Sequence, residues 1–119
     1  MLGAMIETPA AAVMSDVLAA CSDFFSIGTN DLAQYTFALD RTNYEAARFT
    51  NTDSEAVLRL VKLVSDNAKK NNIPIEVCGE MASDAKIAEK LIKLGISVLS
   101  VSAGNILKIR ETVINTTVL

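Results

Sequence analysis

The sequence predicts an α/β protein in which short buried strands alternate with amphipathic helices. Half of the 119 residues are hydrophobic, apolar runs of strand length recur along the chain, and longer segments with helical spacing separate them. Such alternation implies right-handed crossovers and a parallel sheet, which we expect to be buried on both faces. Because the sequence contains no Pro/Gly/Ser-rich linker, we expect residues 1–119 to form a single domain or part of one.

The predicted elements form four strand–helix units. The first strand is 1–7, and the first helix opens at Pro9, because proline suits a first helical turn. A second strand at 23–28 precedes a loop and short helical piece at 29–41. The later elements are the helix 51–72, the strand 73–79, the capped helix 83–95, the strand 96–102 and the helix 104–117.

The segment 51–72 is the clearest helix. Lysines gather at its C-terminal end, where the helix dipole favours positive charge. Its apolar stripe, at helical spacing, comprises Val57, Leu60, Val61 and Val64.

Two architectures remain open for these four units. One is a small open α/β sheet that is complete in itself, and the other is half of a (β/α)8 barrel, which needs about 250 residues. The chain begins directly in a strand, with no leading element to cover that edge. A half barrel exposes two sheet edges and an apolar face, so we expect a homo-oligomer that covers them, for example two halves closing into a barrel.

Composition excludes several classes of function. The net charge of −3 argues against nucleic-acid binding. No apolar run reaches the roughly 18 residues of a membrane span, and no signal peptide is recognisable, so we expect a cytoplasmic protein. Cys21 and Cys78, with no CxxC motif and no histidine, exclude a zinc site and indicate free thiols.

Polar or reactive residues lie at the carboxyl end of every predicted strand. In parallel α/β folds, functional groups collect at the carboxyl ends of the strands. The candidates are Glu7, then Asn30 and Asp31, then Cys78 with Gly79 and Glu80, and finally Ser100 and Ser102.

Glu7 and Asp31 are the candidate metal ligands. Carboxylates at the ends of neighbouring strands can share Mg²⁺, whose remaining ligands are water and phosphate oxygens. On spacing alone, a plainer interpretation is favoured, in which Glu7 is an exposed strand-end charge and Asp31 a helix N-cap.

The other candidates also have plainer alternatives. Asn30 suits either a phosphate contact or a left-handed turn. Arg41 suits bidentate phosphate binding, although from the residues alone an ion pair with Asp40 or another surface acid is the favoured interpretation. Cysteines are often inert core residues, but a strand end before a glycine favours a functional Cys78 over Cys21, which follows a helix and is interpreted as structural.

Several motifs resemble those of the phosphoenolpyruvate (PEP)-utilising enzymes. They are GAMIETPAA (3–11), DFFSIGTNDLAQYT (23–36), LDRTN (39–43), AVLRLVKLV (56–64), VCGEMASD (77–84) and SVSAGNILKIRE (100–111). They cover nearly the whole chain in order, and SIGTNDL followed by CGEMA is a specific combination. Within the family, the last motif looks most like the PEP-protein phosphotransferases, with dikinases and PEP synthases as alternatives.

The resemblance implies the second half of the family's PEP-binding (β/α)8 TIM barrel and a role in phosphoryl transfer from PEP. It implies that Glu7 and Asp31 bind Mg²⁺, and that Asn30, Asp31 and Arg41 bind the substrate. It further implies that Cys78 protonates the enolate to release pyruvate.

The chain also departs from the family. The family passes the phosphoryl group to a histidine on a separate domain and docks a histidine-containing phosphocarrier protein through another, whereas this sequence has no histidine. The segment FTNTDSEAVLRL (49–60) also differs from the family pattern. We therefore expect the chain to be catalytically incompetent alone. The alternatives are a non-catalytic, self-associating half-barrel module and a small stand-alone α/β binding protein.

Overall fold

The computed structural model describes residues 1–40, 43 and 54–117, and its core is a parallel sheet. Four strands pair in the order β1-β2-β3-β4. They are β1 (Gly3–Ile6), β2 (Phe24–Gly28), β3 (Ile75–Cys78) and β4 (Val98–Leu99). The predicted α/β class, with successive strand–helix units, is confirmed.

Helical segments follow each strand. They are α1 (Pro9–Val13), α2 (Ser15–Ala19), α3 (Thr29–Phe37), α4 (Glu55–Lys70), α5 (Ala85–Lys93) and α6 (Ile106–Asn115), with 3-10 turns at Glu80–Ser83 and Ala103–Asn105. In the part of the chain that the structure describes, every helix is too short or too polar to cross a membrane.

The first predicted helix is divided into two. The Thr8 side chain caps α1 and Pro9 occupies its first turn, as the sequence indicates. Met14, with a ψ of 14°, ends α1, and α2 begins at the next residue. There the buried Ser15 Oγ accepts a hydrogen bond of 2.9 Å from Asn67 Nδ2 on α4. This long-range contact holds α2 against α4 and has no signature in the local sequence.

One face of the sheet is covered by helices. Phe25, Ile27 and Val77 are fully buried on this face, and the first two pair in register with β3. Helix α4 packs its apolar stripe over them, with Val57, Val61 and Val64 fully buried and Leu60 partly buried. The predicted helical stripe is therefore confirmed.

No described helix covers the other face of the sheet, called the open face below. Met5, Ser26, Glu76 and Val98 form one row across the four strands. Met5 is 51% exposed and Val98 is 47% exposed. For residues 1–40, 43 and 54–117, the expectation of a sheet buried on both faces was therefore wrong.

The strand order explains the open face. Right-handed crossovers between strands in sequential order put every connecting helix on the same side of the sheet. A doubly wound sheet instead reverses its strand order and covers both faces. The sequential order is that of a barrel wall, so the structure is consistent with a βα-repeat half barrel rather than a complete open sheet.

Candidate functional site

The candidate site lies at the carboxyl edge of the sheet, where the strands end and the next helices begin. A cleft of about 460 Å³ opens there. It brings together Asn30, from the start of α3, and Cys78, from the end of β3. Ser100 and Ser102, which follow β4, line the same cleft.

A larger groove, of about 540 Å³, lies between α5, β4 and α6. Apolar residues such as Ile92, Leu99 and Ile109 dominate its lining. Of the predicted strand-end residues it contains only Ser100. The smaller cleft is therefore the better candidate, because it combines a thiol, an amide and hydroxyl groups.

Cys78 is held at the end of β3 by contacts with β2. Its partly buried Sγ donates a hydrogen bond to Ile27 O at 3.5 Å and accepts one from Ser26 Oγ at 3.7 Å. The Cys78 carbonyl accepts a hydrogen bond of 3.0 Å from the buried Thr29 Oγ1. Side chain and main chain are thus both anchored, and the thiol lines the cleft.

Gly79 lets the chain turn away from the strand directly after the thiol. Its φ of +106° is one that side chains rarely adopt. A Cβ at this position would lie 2.7 Å from Thr29 Oγ1 and 3.0 Å from Asn30 Oδ1. The close approach of β3 to the start of α3 therefore requires glycine.

Asn30 joins the two sides of the cleft. It lies in the first turn of α3, so the alternative of a left-handed turn at this residue was wrong. Its Oδ1 accepts a hydrogen bond of 3.2 Å from Glu80 N. With the amide oxygen engaged by the main chain, the amide NH₂ is the group that can donate to a ligand.

Glu7 lies against Gly28 at the neighbouring strand ends. A Cβ on Gly28 would be 2.9 Å from Glu7 Oε2, so the glycine provides the space that the carboxylate occupies. Gly28 is the N-cap of α3, and Asp31 lies in the first turn of that helix. The interpretation of Asp31 as an N-cap was therefore wrong, although its charge still suits a helix start.

The donor set at these strand ends suits Mg²⁺. Glu7 and Asp31 supply hard carboxylate oxygens, and Mg²⁺ typically takes one or two carboxylates with water and phosphate oxygens. Within the ranges 1–40 and 54–117, no group of three or more His, Cys, Asp or Glu residues forms a complete metal site. Water and phosphate oxygens could complete the coordination of a cation held by the two carboxylates.

The structure does not bring the two remaining predicted residues, Arg41 and Cys21, into the cleft that it describes. Arg41 falls outside the described residues. Cys21 is exposed after α2, on the side of the sheet where β2 begins, and its Sγ donates to Leu18 O at 3.3 Å. Cys21 therefore belongs to the surface and not to the core or the cleft.

Ser26 and Thr29 are site residues that the sequence reasoning missed. Both are buried, and each donates its hydroxyl hydrogen bond to Cys78. The available signal was a polar residue inside an apolar strand: period-two alternation puts Ser26 on the face opposite Phe25 and Ile27.

Comparison with known proteins identifies the family. A family model described as PEP-utilising enzyme, PEP-binding domain, matches residues 1–118. A PEP-protein phosphotransferase of Mycoplasma genitalium is 45% identical over 98% of this chain and 20% of its own length. The protein of the same name from Listeria monocytogenes is 47% identical over 94% of the chain and 20% of its own length.

A multiphosphoryl transfer protein of Xanthomonas campestris is 47% identical over 88% of the chain and 12% of its own length. The chain thus spans about a fifth or less of the length of these curated relatives. The family match covers both strand-end carboxylates and the whole cleft. The chain belongs to the PEP-utilising enzymes and corresponds to their PEP-binding domain.

Proposed function

We propose that this chain is the PEP- and Mg²⁺-binding part of a PEP-protein phosphotransferase. The observation that carries the proposal is the cleft shared by Asn30 and Cys78 at the edge where Glu7 and Asp31 also lie. The transferase names of the relatives support the same reaction class. They favour a protein phosphotransferase over the dikinase or synthase alternatives.

Binding of the phosphate is assigned to Glu7, Asn30, Asp31 and Arg41. Glu7 and Asp31 would hold Mg²⁺, which when bound supplies positive charge to the phosphate and enolate oxygens. Asn30 donates its amide NH₂ to a phosphate oxygen, and Arg41 binds the phosphate through its guanidinium group. Phosphoryl transfer depends mainly on positioning and charge neutralisation, which these groups provide.

Cys78 is assigned the proton transfer. After the phosphoryl group leaves PEP, the S–H bond breaks, its electron pair stays on sulfur, and the proton bonds to the methylene carbon of the enolate to give pyruvate. A thiol carries an ionisable S–H proton and can therefore act as the acid in this step.

The phosphoryl acceptor must lie outside this sequence, which contains no histidine. We assign the acceptor to a histidine on another domain, which then phosphorylates a histidine-containing phosphocarrier protein in a cytoplasmic pathway of sugar uptake. The chain alone is expected to bind PEP but not to complete a phosphoryl transfer.

Calorimetric titration of PEP into the chain tests the proposed site. We expect binding heat in the presence of Mg²⁺, no heat without it, and no heat for Asp31→Ala. Asp16→Ala is the matched control, because Asp16 also lies in the first turn of a helix, α2, away from the cleft. Equal heats for Asp31→Ala and Asp16→Ala would contradict the proposed site, as would no heat in the unchanged protein.

The open face supports self-association as a second property of the chain. Both edge strands, β1 and β4, lack a neighbour among the described residues on one side, and Met5 and Val98 expose apolar surface between them. We propose that a second copy covers this face. A two-fold axis along the strands would put β4 of each copy parallel to β1 of the other, which closes a (β/α)8 wall.

Light scattering at micromolar concentration tests the assembly. The expected mass is that of two chains. A monomeric mass would exclude the two-copy barrel. In that case, residues of a longer polypeptide would have to cover the open face.

A further inference from the structure

We propose that Ser26 is a positioning residue for the Cys78 thiol and stabilises the thiolate that remains after proton donation. The inference deepens the proposed function and rests on it for the identity of the proton acceptor. The contact itself is independent of any substrate.

The sulfur has two hydrogen-bonding partners of opposite character. Ile27 O accepts from Sγ at 3.5 Å, which favours the protonated thiol. Ser26 Oγ donates to Sγ at 3.7 Å, which favours the thiolate, because hydrogen bonds to a charged acceptor are the stronger ones. The pair therefore provides a partner for sulfur in both of its protonation states.

Among the described residues, the Ser26 hydroxyl donates a hydrogen bond to the Cys78 sulfur and to no other acceptor. Ser26 is only 6% exposed, and burial of a hydroxyl is costly unless it is hydrogen-bonded. An alanine or valine would suit this interior strand position if packing alone mattered.

The consequence for the reaction concerns one step. The proton moves from sulfur to the methylene carbon of the enolate, and the bonding pair stays on sulfur as a thiolate. Ser26 keeps its own proton throughout and acts through its dipole. It is a positioning residue, since it need not touch the substrate.

Alkylation of Cys78 by iodoacetamide measures the thiolate directly. The experiment uses the full chain with Cys21→Ser, so that one thiol reacts. We compare Ser26→Thr, which retains a hydroxyl, with Ser26→Val. Valine has nearly the same shape as threonine but has no hydroxyl. A tenfold loss of thiolate, partly offset by higher intrinsic nucleophilicity, corresponds to about threefold slower alkylation below the thiol pKa.

We expect S26V to react about threefold more slowly than the parent and S26T to react at close to the parent rate. Ser65→Ala is the matched control, since Ser65 is a buried serine whose Oγ bonds elsewhere, to Leu94 O at 2.8 Å. Equal rates for S26T and S26V overturn the proposal. Both variants have a β-branched side chain, so any general loss of packing affects them alike.

Failure of this inference can be distinguished from failure of the proposed function. If the S26T and S26V rates differ but PEP gives no binding heat, the Ser26–Cys78 contact stands and the assigned substrate is wrong. If PEP binds through Asp31 but the two rates are equal, the site stands and the role of Ser26 is wrong.

Discussion

The two faces of the sheet are built from alternate residues of the same strands and differ in what covers them. Phe25 and Ile27 are fully buried beneath helices, whereas Met5 and Val98, on the open face, are about half exposed. Among the described residues, the helices cover one face of the sheet. The cleft lies at the carboxyl end of the open face, since Cys78 shares its side of the sheet with Ser26. The covered face thus supplies the packed core, whereas the candidate site lies at the end of the open face.

The largest expected effect comes from neighbouring phenylalanines that lie on opposite faces. Phe25→Ala removes a fully buried ring and should lower the free energy of unfolding by about 3–5 kcal/mol. Phe24, whose ring lies across Gly3, is only partly buried, and Phe24→Ala should cost about 1 kcal/mol. Urea denaturation measures both. Equal losses would show that the two faces contribute equally to stability.

The next effect concerns the turn at the cleft. Gly79→Ala should destabilise the fold by about 1–3 kcal/mol, because alanine is strained at a φ of +106° and its Cβ would approach Thr29 Oγ1 closely. Gly104→Ala is the control, since a Cβ there meets no atom within 4 Å. Thermal unfolding compares them. Comparable melting temperatures would contradict the tight approach of β3 to α3.

A third prediction tests whether a second copy covers the open face. A two-copy barrel would enclose both Glu76 carboxylates in one interior, where like charges repel. Glu76→Gln should tighten dimerisation about tenfold, as measured by sedimentation over a concentration series. Glu55→Gln removes an exposed charge of α4 and should leave the dimer unchanged. Weaker association of Glu76→Gln would exclude the proposed geometry.

The smallest effect concerns α5 on the covered side. Asp84 caps this helix, and its hydrogen bonds from the main-chain N–H of Ile87 and of Lys86, together with the charges of Lys108 and Lys86, hold its pKa below the usual 3.8. Because the folded-state pKa is lowered, the stabilisation is present above pH 3.8 and is lost as the pH falls through the lowered pKa.

Asp84→Ala should cost about 1 kcal/mol at pH 7, measured by urea denaturation. Asp84→Asn keeps a capping oxygen and should cost less, without the loss on acidification below pH 3.8. An unchanged acid dependence in Asp84→Asn would show that another carboxylate causes it.

The fold was largely predictable because its signals are local. Short apolar runs located the strands, and helical spacing located the stripe of α4, including Val57, Val61 and Val64. The break at Met14 was not predictable, since the contact between Ser15 and Asn67 joins residues 52 positions apart. The open face likewise follows from strand order, which spacing does not determine.

The site was predictable only as far as the ends of the strands. Alternation of strands and helices identified Glu7, Asn30, Asp31 and Cys78 as candidates for one edge. Ser26 was visible only as a polar residue inside an apolar strand. Its contact with the Cys78 sulfur was not predictable, because that contact depends on the register of β2 against β3, between residues 52 positions apart. The resemblance to a family, and not spacing, assigned chemical roles to these residues.

The most direct test of the central claim is whether bound PEP protects Cys78 from alkylation by iodoacetamide. With Cys21→Ser as the parent, iodoacetamide labelling of Cys78 is followed as PEP is added, with and without Mg²⁺. The account predicts that labelling slows as PEP saturates the cleft, that Mg²⁺ is required, and that Asp31→Ala abolishes the protection. A labelling rate that stays constant at saturating PEP and Mg²⁺ would contradict a PEP site beside Cys78.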